Sequence, residues 1–368
     1  MPEPKAKPGI MDIHPYIGGE AEIVGEKNVI KLSSNEGALG SSARAVDAYM
    51  NTSKDLHRYP DGNARSLRQT ISEVHGLDPN LIVCGSGSDE LIALLCKAFS
   101  GPGDEVLYSQ YGFLMYPISA MAAGATPKTA LEMNYTADVD SLLQAVTKKT
   151  KILFLANPNN PTGTYLPVNE LYRLHKGLRE DIILVIDAAY AEFVTREDYI
   201  EGNKLVEGSN NVIVTRTFSK SHGLGGLRLG WAYGSSLIID ILNRVRGPFN
   251  VSAASQAAGI ASMNDTEFAK VVRNHNLKWA EWTKRNFLSL GLETTDSVGN
   301  FVLLTFKGLG AFNAQSAETA LKREGILVRS MKAYGLHNSL RISIGLEEEM
   351  RTVVHTLSKF MGHINDEE

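Results

Sequence analysis

A lysine and an arginine frame a glycine-rich turn in the stretch "TFSKSHGLGGLRLGW", which runs from Thr217 to Trp231. Lys220 follows an apolar run, so it is expected at the end of a buried strand. An amine that is partly removed from water there has a lowered pKa and can act as a nucleophile. Ser219 and Arg228, on either side, could hold a phosphate group. Taken alone, a lysine is more often a surface residue of a loop, and Ser219 and Arg228 are what favour a functional role for Lys220.

An acidic residue closes another apolar run, in "LVIDAAYAEF". A carboxylate at the buried end of a strand is costly unless it meets a cation or a strong donor. Asp187 is therefore expected either to form a structural salt bridge or helix cap, or to keep a heteroaromatic nitrogen protonated. In "ANPNNPTG", prolines and a glycine fix a turn, and this turn aims Asn160, whose amide could hold a ring hydroxyl or oxyanion.

Two glycines and two serines precede a predicted helix in "GSGSDE". Free backbone N–H groups and the helix dipole favour an anion at such a position. The alternative is an ordinary N-cap, with Ser88 as the cap and Glu90 in the first turn. A phosphate cup, a partner for a ring nitrogen, a partner for a ring oxygen and an amine that can form an imine together describe a site for pyridoxal 5′-phosphate.

The elements that must position these residues alternate along the first part of the chain. Near-continuous apolar runs such as "NLIVCG", "KILFLA", "DIILVID" and "NVIVTRT" are typical of strands buried on both faces, and amphipathic helical patterns lie between them. This alternation predicts an α/β fold with a mostly parallel sheet flanked by helices. Because ligands bind beyond the carboxyl ends of such strands, we expect the polar residues that follow four of them to meet in one crevice. These residues are Ser86, Gly87, Ser88, Asp89, Asn157, Asn159, Asn160, Asp187, Tyr190, Ser219 and Lys220.

The pattern changes after about residue 255, where two long helices, or one bent helix, are followed by short strands around a helix. This texture predicts a second, smaller α+β domain. The expected organisation is an N-terminal arm at residues 1–45 that packs with the small domain, and a large cofactor-binding domain at residues 46–255. The small domain then covers residues 256–368 and begins with a long connecting helix.

Composition narrows the function classes. The chain has 368 residues, a net charge of -4 and 43% hydrophobic residues, so it can bury a large core and offers no electrostatic case for nucleic acid or an anionic membrane. No apolar run approaches the roughly 18 residues of a membrane span, and the N-terminus lacks the apolar segment of a secretory signal. Cys84 and Cys96 stand in apolar surroundings, which favours a reducing cytoplasm. No metal site is predicted.

As a set, the motifs resemble the fold-type I pyridoxal-phosphate-dependent aminotransferases of the class I/II group, and within that group the histidinol-phosphate aminotransferases. The motifs span nearly the whole chain: "KLSSNE", "HRYPDG", "GSGSDE", "NPNNPTG", "IDAAYAEF", "RTFSKSHGLGGLRLGW", "RGPFNVS" and "YGLHNSLRISIG". Two positions depart from the family pattern. Gly37 and Ala38 stand in "NEGALG" where "NENPLG" is usual, and Ser86 stands where many relatives carry asparagine.

The resemblance implies catalytic roles for Lys220, Asp187 and Tyr190. Lys220 would bind the cofactor as a Schiff base and then move the proton, and Asp187 would keep the pyridine nitrogen protonated. The other implied cofactor-binding residues are Ser88 and Asp89 through their backbone N–H groups, Ser219 and Arg228 at the phosphate, Asn160 at the ring oxygen with Tyr190, Tyr111 on the ring face, and Tyr59 at the phosphate of the neighbouring subunit. The implied substrate-binding residues are Arg341, Arg329, Tyr16 and Asn35. The reach of Tyr59 implies a homodimer with shared active sites.

The implied reaction is amino transfer between L-histidinol phosphate and 2-oxoglutarate, which gives imidazole acetol phosphate and L-glutamate in histidine biosynthesis. An aromatic amino-acid aminotransferase and a decarboxylase of a phosphorylated amino acid remain open as alternatives. A cofactor-binding regulator without turnover is a third. Such regulators usually carry an added DNA-binding domain, for which this chain has no spare length and no basic patch.

Overall fold

The structure of the protein is a computed structural model that describes residues 3–26, 28–307 and 310–363. Residues 1–2 and 27 of the predicted arm lie outside the described residues, as do residues 308–309 and 364–368 of the predicted small domain.

A mostly parallel sheet forms the centre of the larger part of the molecule. The strands of the described residues are β1 (Ile30–Lys31), β2 (Ile82–Gly85), β3 (Glu105–Ser109), β4 (Thr126–Ala130), β5 (Glu132–Met133), β6 (Thr136–Ala137), β7 (Thr150–Ala156), β8 (Ile183–Asp187), β9 (Val212–Thr217), β10 (Gly230–Gly234), β11 (Glu293–Thr294), β12 (Phe301–Thr305), β13 (Ile326–Leu327), β14 (Arg329–Ser330) and β15 (Ser339–Ser343). Within these residues, a seven-stranded sheet has the order β2-β10-β9-β8-β7-β3-β4. Its strands run parallel except for β10, which is antiparallel to β2 and β9. The predicted fold class is confirmed.

Helices cover both faces of this sheet. The described α-helices are α1 (Ala43–Asn51), α2 (Arg65–His75), α3 (Ser88–Phe99), α4 (Met115–Ala123), α5 (Val139–Ala145), α6 (Val168–Gly177), α7 (Asn203–Glu207), α8 (Ser236–Val245), α9 (Ala253–Met263), α10 (Thr266–Ser289), α11 (Ala314–Arg323) and α12 (Glu347–Phe360). Buried residues of α3, α4 and α8 form one apolar cluster with the sheet, and those of α1, α2, α5, α6, α7 and α9 form a second cluster on its other face.

The strand β7 shows why the central runs are apolar throughout. Leu153 and Leu155 belong to the cluster on the α2 side, whereas Ile152 and Phe154 belong to the cluster on the α3 side. Since side chains alternate across a strand, a strand covered on both faces needs apolar residues at every position. The polar residues that end these strands are therefore exceptions, and they stand at the same edge of the sheet.

A smaller antiparallel sheet follows, with the order β11-β12-β15-β14. Its core includes Trp279 of α10, Leu321 of α11 and Val353 of α12. In the N-terminal arm, β1 pairs in parallel with β13. The predicted boundary at 255/256 falls inside α9, whose residues Ala258 and Met263 pack in the large-sheet core, so the domain boundaries stay predictions.

None of the described helices combines the length and the apolar character that a membrane crossing requires.

Candidate active site

A cavity of about 300 Å³ lies at the carboxyl ends of β7, β8 and β9, facing the small sheet. Strand ends, a helix start and the N-terminal arm all contribute to its wall. The sequence-predicted site residues that line it are Tyr16, Asn35, Ser88, Asp89, Asn160, Asp187, Tyr190, Ser219, Lys220, Arg228 and Arg341. These residues are far apart in sequence, and the strand topology brings them together at one edge of the sheet. The other residues of the crevice prediction, Ser86, Gly87, Asn157 and Asn159, are not among the described residues that line the cavity.

Lys220 lies three residues beyond β9 and is half-buried in this cavity. Its amine Nζ donates to the backbone carbonyl of Ser34, 3.2 Å away, and lies 5.9 Å from the ring centroid of Tyr190. Burial, together with the nearby charge of Arg341, lowers the pKa of Lys220 from 10.5 to about 8. The free amine is therefore populated at a mildly alkaline pH, and it is suited to act as a nucleophile and as a base.

Asp187 ends β8 and is 5% exposed. Its Oδ2 accepts from the Tyr116 hydroxyl at 2.8 Å, and its Oδ1 accepts from Thr215 Oγ1 at 3.2 Å. Both donors are neutral, and no cationic side chain of the described residues forms an ion pair with this carboxylate. Burial consequently raises the pKa of Asp187 from 3.8 to about 6. A buried carboxylate of this kind is completed by a cationic partner, such as a protonated ring nitrogen.

The start of α3 and the turn after β9 form a cup for an anion. Ser88 is the first residue of α3, so its backbone N–H group has no partner within the helix. Arg228 reaches over this helix start, donating to Ser219 Oγ at 3.3 Å and to Asp89 Oδ2 at 3.1 Å. Gly87 permits this approach, because its φ is 87° and an added Cβ would lie 2.5 Å from Arg228 Nη2. A helix N-terminus next to a guanidinium suits a phosphate group.

Arg341 joins the small sheet to the large one across the cavity. It is 6% exposed; one of its terminal nitrogens donates to Asn160 Oδ1 and the other donates to the carbonyl of Ser33 at 3.0 Å. Its Nε is buried without a partner among the described residues. On the same wall, Asn35 Nδ2 donates to the Tyr190 hydroxyl at 3.0 Å. Asn160 and Tyr190 thus present polar atoms to one region of the cavity.

The two candidate substrate arginines are cross-strand partners. Arg329 of β14 stands directly opposite Arg341 of β15, so both side chains leave the same face of the small sheet. Arg329 donates to the backbone carbonyl of Ile17 in the N-terminal arm, and its guanidinium lies 5.9 Å from the ring centroid of Tyr16. Tyr16 lines the cavity, whereas Arg329 is not among the described residues that do so.

Tyr111 and Tyr59 are not among the described residues that line the cavity. Tyr111 packs against Tyr135, with ring centroids 6.0 Å apart, and belongs to a cluster at the small sheet. Phe113, two residues later and after the tight turn at Gly112, lines the cavity, as Tyr16 and Tyr190 also do. Tyr59 is 82% exposed and stacks on Phe249 at 4.6 Å.

Sequence reasoning missed Phe113, Tyr116 and Thr215. The signal for the first two is their spacing of three residues around the start of α4, since residues three apart share one side of a helical turn. Thr215 could be found from strand pairing, because it stands directly opposite Asp187 in the β8–β9 ladder.

The two departures from the family pattern occupy different environments. Gly37 lies against the turn that carries the lysine, since a Cβ there would lie 3.1 Å from the Lys220 carbonyl oxygen. A larger residue at this position would push on the turn. The backbone N–H of Ser86 donates to Glu90, and Ser86 is not among the described residues that line the cavity.

The donor set fits a phosphorylated pyridine ring. The cavity offers an amine of lowered pKa in Lys220, a buried carboxylate without a cation in Asp187, and an anion cup at Arg228. Each of these groups suits a different part of such a ring: the amine suits its aldehyde carbon, the carboxylate its nitrogen, and the anion cup its phosphate.

The α/β fold and the site are those of an enzyme that binds a phosphorylated pyridine cofactor, and comparison of the sequence with known families agrees with this class. Residues 27–357 match the family described as aminotransferase class I and II. The chain belongs to this family, as its motifs predict.

Relatives within the family are similar over almost their whole length. A histidinol-phosphate aminotransferase from Paramagnetospirillum magneticum is 56% identical over 362 residues, which cover 98% of this chain and 100% of that protein. The corresponding protein from Rhodospirillum rubrum is 54% identical over 97% of each chain. The crystal structure of histidinol-phosphate aminotransferase from Sinorhizobium meliloti in complex with pyridoxal-5′-phosphate superposes with a TM-score of 0.86, at 25% identity and over 98% of each chain.

Proposed function

We propose that this protein is a pyridoxal-phosphate-dependent aminotransferase that transfers the amino group of L-histidinol phosphate to 2-oxoglutarate. The observation that carries this proposal is that Lys220, Asp187 and Arg228 line one cavity. Each of these side chains could bind a different group of the cofactor. The substrate rests on the names of relatives that are 50–56% identical over nearly the full chain.

The residues that would hold the cofactor follow from the donor set. Ser88, Ser219 and Arg228 would bind its phosphate, and Asp187 would accept from its ring nitrogen. Asn160 and Tyr190 would bind the ring oxygen. The ring face would lie against Phe113 rather than Tyr111, because Phe113 lines the cavity and Tyr111 is not among the described residues that do so. When bound, pyridoxal phosphate supplies an electron sink that acidifies the Cα–H bond of an attached amine.

Lys220 would take and return the proton in this reaction. Its lowered pKa of about 8 means that the neutral amine is far more abundant near neutral pH than in an ordinary lysine. The carbonyl of Ser34, 3.2 Å from Nζ, holds the amine on the cavity side of the turn. Tyr190, whose ring lies 5.9 Å from Nζ, restricts where the amine can move.

Arg341 would bind an anionic group of each substrate in turn. Histidinol phosphate carries a phosphate, and 2-oxoglutarate carries two carboxylates, so one site must serve both kinds of anion. A planar guanidinium can donate two parallel hydrogen bonds to either group. Arg341 fits this role because its Nε is buried without a partner while its other nitrogens contact Asn160 and Ser33. Arg329 of β14, opposite Arg341, and Tyr16 of the N-terminal arm would complete the anion site. Asn35 would support Tyr190.

The active unit would be a homodimer in which Tyr59 completes the phosphate cup of the partner. Tyr59 is 82% exposed, and Val46, Tyr49, Met50 and Leu56 are also more than two-fifths exposed. Large apolar side chains exposed on neighbouring elements support the proposal that a second copy of the chain covers this surface. The free, buried thiols of Cys84 and Cys96 fit a cytoplasmic location.

The test of function is a steady-state assay of the cofactor-loaded protein. With 2-oxoglutarate as the acceptor, we expect kcat/KM for histidinol phosphate to exceed that for phenylalanine and tyrosine. A preference for phenylalanine would replace the proposal with an aromatic aminotransferase. Release of CO2 from a phosphorylated amino acid would indicate a decarboxylase. Binding of the cofactor with no turnover of any donor would indicate a regulator.

The shared site has its own test by subunit mixing. Tyr59→Phe subunits and Lys220→Ala subunits are each impaired, but their heterodimer contains one intact site, so the mixture should regain activity. Mixing Lys220→Ala with Arg341→Lys is the matched control, because both lesions then lie within their own chains' sites and neither site is restored. If subunit exchange occurs and the first mixture gains no more than the control, Tyr59 does not serve the partner.

A further inference from the structure

The carboxylate of Asp187 is held by a residue that belongs to neither the lysine turn nor the phosphate cup. Tyr116, in the first turn of α4, donates its hydroxyl to Asp187 Oδ2 at 2.8 Å. The tyrosine is completely buried. A single turn carries both this residue and Phe113, since the Tyr116 backbone N–H donates to the Phe113 carbonyl at 3.0 Å. This one turn therefore presents one ring to the cavity and one hydroxyl to the buried acid.

The ring of Tyr116 has little freedom to move its hydroxyl elsewhere. It stacks on Phe154 with centroids 4.5 Å apart and planes 5° apart. Phe113 and Tyr108 pack edge-on against it, with centroids 6.0 Å and 6.1 Å away. A hydroxyl whose ring is fixed on several sides can act only on the acceptor in front of it, which here is Asp187.

The hydroxyl is a permanent donor. Burial, with the Asp187 charge beside it, raises the pKa of Tyr116 well above its usual value, so the proton stays on the tyrosine oxygen. The hydrogen bond has the opposite effect on the pKa of Asp187. Burial raises the pKa of this carboxyl, and the hydrogen bonds from Tyr116 and Thr215 counteract the rise. A hydrogen bond to the charged form of an acid favours that form.

We propose that Tyr116 is a positioning residue, whose hydroxyl keeps Asp187 ionised and oriented so that Asp187 holds the cofactor's ring nitrogen in its protonated form. This inference rests on the proposed function, because it needs the ring nitrogen of pyridoxal phosphate. Without the Tyr116 donor, Asp187 becomes the stronger base, and the proton between ring and carboxylate shifts toward the carboxylate. The ring then withdraws electrons less strongly.

The experiment compares pyridoxal phosphate with 1-deaza-pyridoxal phosphate, which has carbon in place of the ring nitrogen. Affinities of cofactor-free wild type, Tyr116→Phe and Tyr108→Phe for both compounds are measured by fluorescence quenching. Tyr108→Phe removes the same atom from a neighbouring buried ring that forms no described hydrogen bond to Asp187. We expect Tyr116→Phe to reduce the preference for the nitrogen-containing compound roughly tenfold, as for one lost hydrogen bond to a charged group, and Tyr108→Phe to leave it unchanged.

A second measurement reads the proton directly and does not require the phenylalanine variant to fold. Two proteins are loaded with cofactor that is labelled with ¹⁵N in the ring. One is wild type, and in the other Tyr116 is replaced by 3-fluorotyrosine, whose hydroxyl is a stronger hydrogen-bond donor. The ¹⁵N resonance should move toward the protonated value with fluorotyrosine, and toward the unprotonated value in Tyr116→Phe. An equal loss of affinity for both compounds, or an unchanged ¹⁵N shift, overturns the inference. If wild type binds no pyridoxal phosphate at all, the proposed function itself is wrong.

Discussion

Two groups of ionisable side chains lie on opposite faces of β9, and the pKa values of their carboxyl groups are shifted in opposite directions. On the cavity face, Thr215 donates to Asp187. On the other face, Arg216 donates to Glu192 at 2.7 Å, with the arginine side chain only 4% exposed. Asp187 and Arg216 are similarly buried, whereas the Glu192 side chain is 23% exposed. The main difference between the two groups is whether a charge of opposite sign is present.

Their pKa values show what this difference does. Burial alone would raise the pKa of Glu192, but the charge of Arg216 lowers it below its usual value. Burial likewise opposes ionisation of Arg216, and Glu192 raises the pKa of that guanidinium. The pair stabilises its own ionised form, whereas the pKa of Asp187 is raised by burial to about 6. A buried charge with its partner inside the fold is structural, and one without such a partner is available to a ligand.

The largest expected effect is at the lysine of the cavity face. Lys220→Ala should lower the rate of transamination roughly a thousandfold or more, because it would remove both the proposed attachment point of the cofactor and the proposed base. It should not lower the free energy of unfolding, since Lys220 is an amine whose charged form burial disfavours. The measurements are turnover, borohydride trapping and urea unfolding.

The matched control is Lys151→Ala, which removes a strand lysine that pairs with Asp181 and is 37% exposed. It should retain activity and the trapped adduct. An adduct that persists in Lys220→Ala would contradict the assignment.

The next prediction sets the two acids against each other. Asp187→Asn should lower kcat by roughly a hundredfold or more, because an amide would not hold the ring nitrogen protonated, and it should not lower the free energy of unfolding at neutral pH. Glu192→Gln should cost about 3 kcal/mol in the free energy of unfolding, because it leaves Arg216 buried without its counter-charge, while kcat per folded molecule stays close to wild type. Urea unfolding and single-turnover rates measure the two properties separately.

Replacing both members of the pair sharpens this test. Glu192→Met combined with Arg216→Met should be less destabilised than Glu192→Met alone, since no unpaired charge remains. The comparison between the two faces fails if Asp187→Asn mainly unfolds the protein, or if Glu192→Gln mainly lowers kcat.

A variant at Arg341 tests whether this buried arginine binds a ligand or forms part of the structure alone. Arg341→Lys keeps the charge and loses the two-pronged donor, so kcat/KM should fall for histidinol phosphate and for 2-oxoglutarate alike. One lost charge-assisted hydrogen bond costs about 1.5–3 kcal/mol, or roughly ten- to a hundredfold. A variant that binds the cofactor, is less stable and turns over both substrates normally would instead place Arg341 with the structural ion pairs.

Sequence predicted the cavity-face residues best where a polar residue interrupts an apolar strand. Asp187 and Lys220 stand at strand ends, and parallel topology then forces their meeting. The contact of Arg216 with Glu192 was not predicted, although alternation along "TRTFSK" places Arg216 opposite to Thr215.

The aromatic residues were harder to predict because a turn decides their direction. The motif "SQYGFLMY" contains three rings, and hydrophobicity alone does not say which one faces the cavity. The turn at Gly112 directs Tyr111 toward Tyr135 and brings Phe113 to the cavity wall. One further helical turn takes Tyr116 to Asp187. Tertiary contacts, rather than residue type, therefore separate these roles.

The smallest expected effect is on the pH dependence of stability, and it distinguishes the two faces by its sign. In the cofactor-free protein, the folded pKa of Asp187 is about 6, above its ordinary value of 3.8. Its contribution to stability is thus fully present below about pH 4 and is lost as the pH rises through 6. A shift of about two units corresponds to about 2–3 kcal/mol. Glu192 has the opposite effect on stability. Its stabilising contribution is present above pH 4.5, the ordinary pKa of a glutamate, and is lost as the pH falls through its lowered pKa in the folded protein.

Urea unfolding of the cofactor-free protein between pH 4.5 and 8 measures this dependence. Asp187→Asn should remove the loss of stability near pH 6, so that the variant becomes more stable than wild type toward neutral pH, while Glu192→Gln should leave that loss in place. In the cofactor-saturated wild type, the protonated ring nitrogen supplies the missing cation, and the loss near pH 6 should disappear there too. Stability curves of wild type and Asp187→Asn that run parallel across this range would show that the buried acid already has its counter-charge within the fold, and the contrast between the two faces of β9 would not hold.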